Sequence, residues 1–275
     1  MNLKIRDTSV DLDGITESQY HQIREFLSHE LAPQRQVRTG IVNAFLFAVR
    51  MCPSANPSDI WHHVIYREFL KIRAEIGEDP GQSWKRAGGE ALEEVFAEYY
   101  RPLLEPHGVR MRALISRPAK RKALADMGLL GDVGDSKLDT VLEGRLDEDW
   151  KTFGGAHVKA SLAERVSDDQ GASEKMMRKG FLSPLLTMDA KSFPAPHGDF
   201  VNRGELGSPG KPSEKRRYIE EKGQFDNCYS FNARTVPSRP SVKPGRRVYT
   251  LSMQGREDQF VRDIVAAWQR FRQRG

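Results

Sequence analysis

Four charged side chains in the middle of the sequence have the types and spacing that suit metal-dependent hydrolysis of a phosphodiester. Asp139 lies in a short run that alternates apolar and polar residues, Lys159 ends the next such run, and Asp168 and Asp169 follow on a predicted helix. Carboxylate oxygens are the ligands that hard divalent cations prefer. Such a cation makes a hydroxide-like nucleophile and neutralises charge on the phosphate, and a nearby lysine can position the attacking water. The pattern therefore favours nuclease chemistry.

A second arrangement of the same kind lies further along the chain. Asp189 and Lys191 form an Asp-x-Lys pair on a predicted strand, and one of the two acids on the preceding helix could supply its upstream carboxylate. The general nuclease pattern has an acid two residues before the lysine, whereas His157 occupies that place before Lys159. Spacing alone mildly favours Asp189 and Lys191, so both assignments stay open on the residues alone.

Two further acids precede this region. Glu90 and Glu93 lie one turn apart on a long predicted helix that starts at Ser83, so either of them could face the sheet that follows. Each acid taken singly is more often an ordinary surface charge than a metal ligand. Their order along the chain (helix acid, strand acid, strand lysine, helix acid) makes a shared metal site about as favoured as separate surface charges.

The elements that must position these residues follow from hydrophobic periodicity. Apolar residues recur at helical spacing in the first third of the chain, and short alternating runs bounded by turn residues indicate strands from Val109 onwards. The predicted helices are 16–27, 38–51, 56–69, 83–105 and 258–273, and the predicted strands are 109–116, 137–144, 156–160, 185–191, 226–234 and 247–253. The pattern Ser161-Leu-Ala-Glu164 resembles a capping box and predicts that another helix starts directly after the Lys159 strand.

These elements predict an α/β protein in which a helical N-terminal region of residues 1–80 leads into a mixed sheet flanked by helices. No sequence feature marks a firm boundary between the two parts. A long loop rich in Gly and Pro lies between residues 193 and 213, and loops of this length inside a compact domain are often functional.

Composition narrows the class of protein. The chain has 275 residues, a net charge of +5 and a pI of about 9.2, which favours a polyanionic partner such as nucleic acid. Its two cysteines lack the spacing of a disulfide framework or zinc site, which favours a reducing compartment. No signal-peptide core or membrane-length apolar run occurs, so we expect a cytoplasmic protein with no membrane partner. Glycine-rich phosphate loops and the G-x-S-x-G elbow of serine hydrolases are absent from the sequence.

Four long stretches of the sequence resemble the Type II restriction endonucleases that cut at CCGG. These stretches are CPSANPSDIWHHVIYR at 52–67, QSWKRAGGEALE at 82–93, KASLAERVSDD at 159–169, and KSFPAPHGDFVNRGELG at 191–207. Strings of this length are highly specific, and the resemblance covers most of the chain. It implies the restriction-endonuclease-like fold with a PD-(D/E)xK-type core, and it makes residues 81–275 a catalytic and DNA-recognition domain behind the N-terminal helical domain.

The resemblance also implies a catalytic site. Matched residue by residue, Glu93, Asp139, Lys159 and Asp169 form it, because the second acid of the core has moved from the strand to the following helix. Asp139 and Asp169 would be the principal Mg²⁺ ligands, Glu93 would support the metal or its water, and Lys159 would orient the attacking water. The moved acid explains why His157 can stand where an acid was expected, and it leaves the second Asp-x-Lys pair with a structural role.

The same resemblance makes Glu164 and Arg165 the base readers. An arginine can donate two hydrogen bonds to guanine O6 and N7, and a glutamate can accept one from cytosine N4, so the pair would read the inner C·G pairs. Arg86 is the best candidate to read the outer guanine, with Lys85 as the alternative. Without the resemblance, an exposed ion pair at the start of a helix is the simpler interpretation of Glu164 and Arg165.

The implied function is Mg²⁺-dependent hydrolysis of double-stranded DNA at a palindrome that contains CCGG, expected to be W/CCGGW, where W is A or T, with 5′ overhangs. A palindrome read symmetrically requires a homodimer or a higher oligomer. A companion DNA methyltransferase would act on the same site without binding this protein. Two other classes stay open: a sequence-specific DNA-binding protein without catalysis, and a structure-specific repair nuclease.

Overall fold

The structure is a computed structural model. It describes residues 1–5, 7–32, 34–77, 79–162, 165–190 and 200–274, and of residues 165–168 it describes only the backbone.

Helices dominate the first third of the chain and recur between and after the strands. The described helices are α1 (Glu17–Glu30), α2 (Val37–Met51), α3 (Pro57–Asp59), α4 (Tyr66–Glu75), α5 (Pro80–Leu104), α6 (Arg117–Asp126), α7 (Arg165–Arg178), α8 (Glu214–Glu220) and α9 (Gln259–Arg272). A π-helical segment, Ile60–Ile65, joins α3 to α4, and short 3₁₀ turns span Glu105–His107 and Asp135–Lys137.

Most of the described strands lie in the second half of the chain. They are β1 (Asn2–Ile5), β2 (Thr8–Asp11), β3 (Val109–Ala113), β4 (Thr140–Leu146), β5 (Asp149–Gly154), β6 (His157–Lys159), β7 (Leu185–Thr187), β8 (Gly207–Ser208), β9 (Lys211–Pro212), β10 (Cys228–Ser230) and β11 (Val248–Thr250). Each of the six predicted strands overlaps an observed one, although the observed strands are shorter.

Two central sheets meet edge to edge. The strands β3, β4 and β5 form an antiparallel sheet, and β6, β7, β10 and β11 form a parallel sheet in the order β11-β10-β7-β6. The sheets adjoin where Thr140 and Ala156 exchange backbone hydrogen bonds of 3.3 and 3.2 Å. Because helices pack around this arrangement, the predicted α/β fold with a mixed sheet flanked by helices is confirmed.

Local sequence explains where the N-terminal helices begin. Thr16 caps α1 in a capping box with Gln19, since each side chain bonds to the backbone of the other residue. Asn56 caps α3, where Pro57 takes the first helical position. The single helix predicted at 56–69 continues through a π-helical stretch at Ile60–Ile65, a rare geometry in which side chains on one face are re-aimed.

One apolar cluster connects the N-terminal helices with the sheets. It contains Phe45 and Phe69 from the helices, Phe96 from α5, and Phe231 and Phe260 from the C-terminal part. The helix α5 crosses this cluster and packs along β3, so it carries its inward-facing side chains to the sheet edge. The division at residue 80 stays a prediction.

The C-terminal helix lies directly against β4. A Cβ atom at Gly144 would stand 2.1 Å from the Trp268 ring, so only glycine permits this approach. No helix in the described part of the chain combines the length and the apolar character needed to cross a membrane.

Candidate active site

The junction of the two sheets places Asp139 beside Lys159. Asp139 comes directly before β4, and its backbone carbonyl accepts a hydrogen bond from the Leu114 N–H at 3.0 Å. Its Oδ2 atom accepts another from the Val158 N–H, also at 3.0 Å, which fixes the carboxylate against β6. Lys159 is the last residue of β6, so both side chains emerge at the same end of the junction.

Lys159 connects two carboxylates. Its Nζ atom lies 2.6 Å from Asp139 Oδ2 and 2.8 Å from Asp169 Oδ2, and all three side chains are largely buried. Burial acts to lower the pKa of Lys159, but the two carboxylates outweigh it and hold the pKa above its ordinary value. The lysine is therefore charged at neutral pH.

The helix α7 brings Asp169 to this junction. Burial acts to raise the pKa of Asp169, but the adjacent His157 imidazole and Lys159 ammonium hold it at about 2. The Nζ atom of Lys137 lies 3.9 Å from its other carboxylate oxygen. A carboxylate that stays ionised beside several cations is well suited to bind a divalent cation.

Glu93 reaches the same site from α5. Its side chain is buried, and its Oε2 atom has no hydrogen-bond partner within the described part of the chain. Burial and the Asp139 carboxylate raise the pKa of Glu93 to about 8, although Lys120 and Lys159 act to lower it. Glu90, one turn earlier, bonds instead to Arg38. The structure thus separates two acids that the sequence left equivalent.

His157 is a site residue that the sequence reasoning missed. Its ring is fully buried, with Nε2 at 3.1 Å from Ser183 Oγ and Nδ1 at 3.5 Å from Asp169 Oδ2. Side chains two residues apart on a strand share a face, so its position before Lys159 was the available signal. Asp139, His157 and Asp169 each offer one ligand atom, and these atoms lie within 4.8 Å of one another. This donor set fits a divalent metal ion.

A cleft of about 680 Å³ gives access to the site. Its walls include Trp84, Lys85 and Gly88 of α5, and Lys120 of α6, together with the acids and the lysine described above. Lys85 and Lys120 form no ion pair with any other described residue, so both ammonium groups remain available to an anionic ligand.

The residues expected to read bases are described only in part. Glu164 and the side chain of Arg165 lie outside the described residues, although Arg165 is the first described residue of α7. Arg86 is exposed on α5, and its neighbour Lys85 is the one that lines the cleft.

Glu205 binds the first residues of the connection between β6 and α7. The helix predicted after Lys159 is observed as α7, but it does not include Leu162, and Ala163 and Glu164 of the predicted capping box lie outside the described residues. The Ser161 hydroxyl and the Leu162 N–H both donate to Glu205 Oε2, at 2.9 and 2.5 Å. Glu205 Oε1 in turn accepts from Lys215 at 2.9 Å. Glu205 therefore fixes the residues directly after Lys159, a role that no local pattern in the sequence indicated.

Asp189 of the alternative pair is embedded in the protein. Its Oδ1 atom accepts from the Glu205 N–H at 2.6 Å, and its Oδ2 atom accepts from the Thr235 hydroxyl at 2.7 Å. Burial raises its pKa to about 6, and both of its carboxylate oxygens are used by hydrogen bonds within the protein. Its predicted partner Lys191 lies outside the described residues.

The chain is similar to several known proteins. Residues 119–256 match the family described as BsaWI restriction endonuclease type 2. The Type II restriction enzyme AgeI of Thalassovita gelatinovora is 48% identical over 264 residues, which cover 94% of each chain. The crystal structure of a specific AgeI–DNA complex is similar with a TM-score of 0.90 and 45% identity, over 97% of this chain and 99% of that one. A pre-specific BsaWI–DNA complex gives a TM-score of 0.49 and 19% identity, over 93% of both chains.

Proposed function

Because this chain belongs to the Type II restriction endonucleases, we propose that it hydrolyses double-stranded DNA at a palindromic site containing CCGG. The expected site is W/CCGGW, cut to leave 5′ overhangs. The observation that carries the proposal is the cluster of Asp139, Lys159 and Asp169 at the base of a cleft that two unpaired lysines line. The similar AgeI structure is a DNA complex, which supports DNA as the ligand of this cleft.

The carboxylates would hold Mg²⁺, with Asp139 and Asp169 as direct ligands and Glu93 as a support for the ion or its water. When bound, the ion lowers the pKa of a water and neutralises charge that develops on the phosphate. Asp169 stays ionised far below neutral pH, so protons do not compete for this ligand.

Lys159 has a defined part in this chemistry. Because its pKa is raised, it remains an ammonium group and does not act as a general base. It donates hydrogen bonds, and next to a phosphodiester these bonds would orient the attacking water and stabilise the negative charge of the transition state. The Val158 N–H fixes the Asp139 carboxylate against β6, so this proposed ligand is oriented in advance.

Base reading is proposed for residues near Lys159 in the sequence and for residues of α5. Glu164 and Arg165 would read the inner C·G pairs, and Arg86, or Lys85 in its place, would read the outer guanine. Glu164 follows Lys159 by only five positions, and Glu205 fixes the intervening residues Ser161 and Leu162. The residues proposed for recognition and for cleavage would then lie within one short stretch of the chain.

A palindromic target requires two copies of this chain related by a two-fold axis, each cutting one strand. We therefore propose a homodimer, or a higher oligomer built from such dimers. A DNA methyltransferase that modifies the same site would be its companion.

The test is digestion of plasmid DNA with purified protein, in Mg²⁺ or in EDTA, followed by sequencing of the fragment ends. Discrete fragments that require Mg²⁺ and end in CCGG would support the proposal, and the bases next to CCGG would give the full site. Cutting without a CCGG requirement would instead indicate a structure-specific repair nuclease.

Two variants test the site assignment in the same assay. Asp139→Ala is expected to bind CCGG DNA and not to cut it, and unchanged cutting would refute the assignment. Glu93→Gln is expected to slow cutting about 10–100-fold, as loss of a group that supports a metal ligand does. Glu90→Gln is its matched control, because Glu90 lies one turn away and bonds to Arg38.

A further inference from the structure

His157 places a buried nitrogen atom beside the carboxylates of the site. Its ring is fully buried, and its Nδ1 atom has no hydrogen-bond partner in the described part of the chain. A buried polar atom that lacks a hydrogen-bond partner destabilises the folded protein, so a role as a ligand would explain why this one is present. The atom points towards Asp169, from whose Oδ2 it is 3.5 Å away.

The other ring nitrogen is fixed. His157 Nε2 lies 3.1 Å from the Ser183 hydroxyl, which is itself 2.7 Å from the Ser173 hydroxyl on α7. A hydrogen bond to one ring nitrogen sets which nitrogen is left to bind a metal. These two serines therefore hold the ring so that Nδ1 faces the carboxylates.

The position of His157 along β6 has a chemical consequence. It stands two residues before Lys159, on the same face of the strand, where the general nuclease pattern has an acid. A nitrogen donor in place of a carboxylate removes one negative charge and one hard oxygen ligand. Mg²⁺ prefers sites made only of oxygen, whereas imidazole nitrogen is a ligand of transition-metal ions, whose affinity for such a site rises from Mn²⁺ to Co²⁺.

We propose that His157 Nδ1 is a metal ligand beside Asp139 and Asp169, and that it shifts the preference of this site from Mg²⁺ towards Mn²⁺ and Co²⁺. The proposal rests on the proposed function, since it concerns the same metal site. Its ligand atoms lie close enough to one another to share a single ion. Orientation of Asp169 by a hydrogen bond from Nδ1–H is the competing explanation, but 3.5 Å exceeds the usual N–H···O distance of about 2.7–3.2 Å.

The test uses the full chain without DNA. Mn²⁺ binding is titrated by electron paramagnetic resonance, Mg²⁺ affinity is measured by competition with Mn²⁺, and electron spin echo modulation reports nitrogen coordinated to Mn²⁺. We expect a ¹⁴N coupling in the unmodified protein that is lost in His157→Asn. We also expect the ratio of Mn²⁺ to Mg²⁺ affinity to fall by about tenfold in that variant.

Two further variants complete the design. His157→Asp restores the acid of the general pattern and is expected to strengthen Mg²⁺ binding relative to Mn²⁺. His107→Asn is the matched control, because His107 bonds to Glu257 outside the cleft. Circular dichroism verifies that each variant is folded, and should His157→Asn fail to fold, the coupling in the unmodified protein and the behaviour of His157→Asp still decide the question.

The outcomes separate this inference from the proposed function. Equal losses of Mn²⁺ and Mg²⁺ affinity in His157→Asn, or absence of ¹⁴N coupling in the unmodified protein, would overturn the inference. The proposed function would survive either result if the unmodified protein still cuts at CCGG. Nitrogen coupling in a protein that does not cut DNA would leave the inference standing and refute the proposed function.

Discussion

Substitution of Asp189 by asparagine tests whether this residue is a buried structural acid or part of a second metal site. Asp189 accepts hydrogen bonds from the Glu205 N–H and the Thr235 hydroxyl. An asparagine keeps an oxygen that can accept from the Glu205 N–H. Its amide N–H can donate to the Thr235 hydroxyl oxygen, and the Thr235 hydroxyl can then donate to Ser230 Oγ at 2.8 Å. The backbone φ of +46° is also one that asparagine tolerates better than most residues do.

The magnitude follows from the pKa of Asp189. Burial raises this pKa from 3.8 to about 6, and a tenfold change in an equilibrium is 1.36 kcal/mol, so the effect is about 3 kcal/mol. Between these two values the unfolded chain has lost the proton that the folded protein retains. The free energy of unfolding therefore decreases as pH rises through this window, and the stabilisation present below 3.8 is gone above about 6.

The assay is urea unfolding, followed by circular dichroism, of the unmodified protein and Asp189→Asn from pH 4 to pH 7. Every other titrating group is present in both proteins and cancels in the difference. Between pH 4 and pH 7 we expect the free energy of unfolding of the variant to rise by about 3 kcal/mol relative to that of the unmodified protein. A difference that does not change with pH would refute the reasoning, and loss of Mg²⁺-dependent cutting in Asp189→Asn would restore the alternative metal site.

Three further predictions concern the cleft and the packing behind it. Glu205→Ala removes the acceptor that fixes the two residues Ser161 and Leu162 after Lys159. We expect kcat/KM for CCGG DNA to fall about 10–100-fold, with a smaller change in DNA affinity. An equal loss in kcat/KM and in affinity would contradict a positioning role. Lys120→Ala should lower the slope of log K against log salt for DNA binding by about one, whereas Lys122→Ala, whose ammonium pairs with a carboxylate on its own helix, should change it less. Gly144→Ala places a Cβ atom 2.1 Å from the Trp268 ring. We expect this clash to lower the free energy of unfolding by about 1–3 kcal/mol or more, measured by thermal unfolding. An unchanged melting temperature would show that α9 can shift.

The sequence predicted most elements whose apolar residues follow a clear period. Each of the six predicted strands overlaps an observed one. Buried and partly exposed residues alternate in β3, whereas β7 and β10 are buried along their whole length. The strand β5 was missed since its first four residues are all exposed or half-buried, so that no apolar face marks it. The helix α6 was missed for a similar reason: its start is a run of Arg, Pro and Lys, and it buries only Ala123 and Leu124.

The sequence predicted which types of residue form the candidate site, but it predicted their arrangement in space less well. Spacing could not choose between Glu90 and Glu93, because one helical turn separates them and only the packing of α5 decides which enters the cleft. The Asp-x-Lys pattern could not exclude Asp189, since burial is set by segments far away in the chain. His157 was noticed only as an exception to a pattern, because its partner Ser183 lies on a different segment.

The junction between the two sheets has a consequence for how this enzyme behaves before it is fully folded. Asp139 belongs to the antiparallel sheet, Lys159 belongs to the parallel sheet, and Asp169 arrives on a helix that follows both. A chain in which either sheet has not yet formed, or in which the two have separated, holds these three groups too far apart to act on one phosphate. Partly folded molecules would then lack the proposed site, and we expect them to cut no DNA of any sequence.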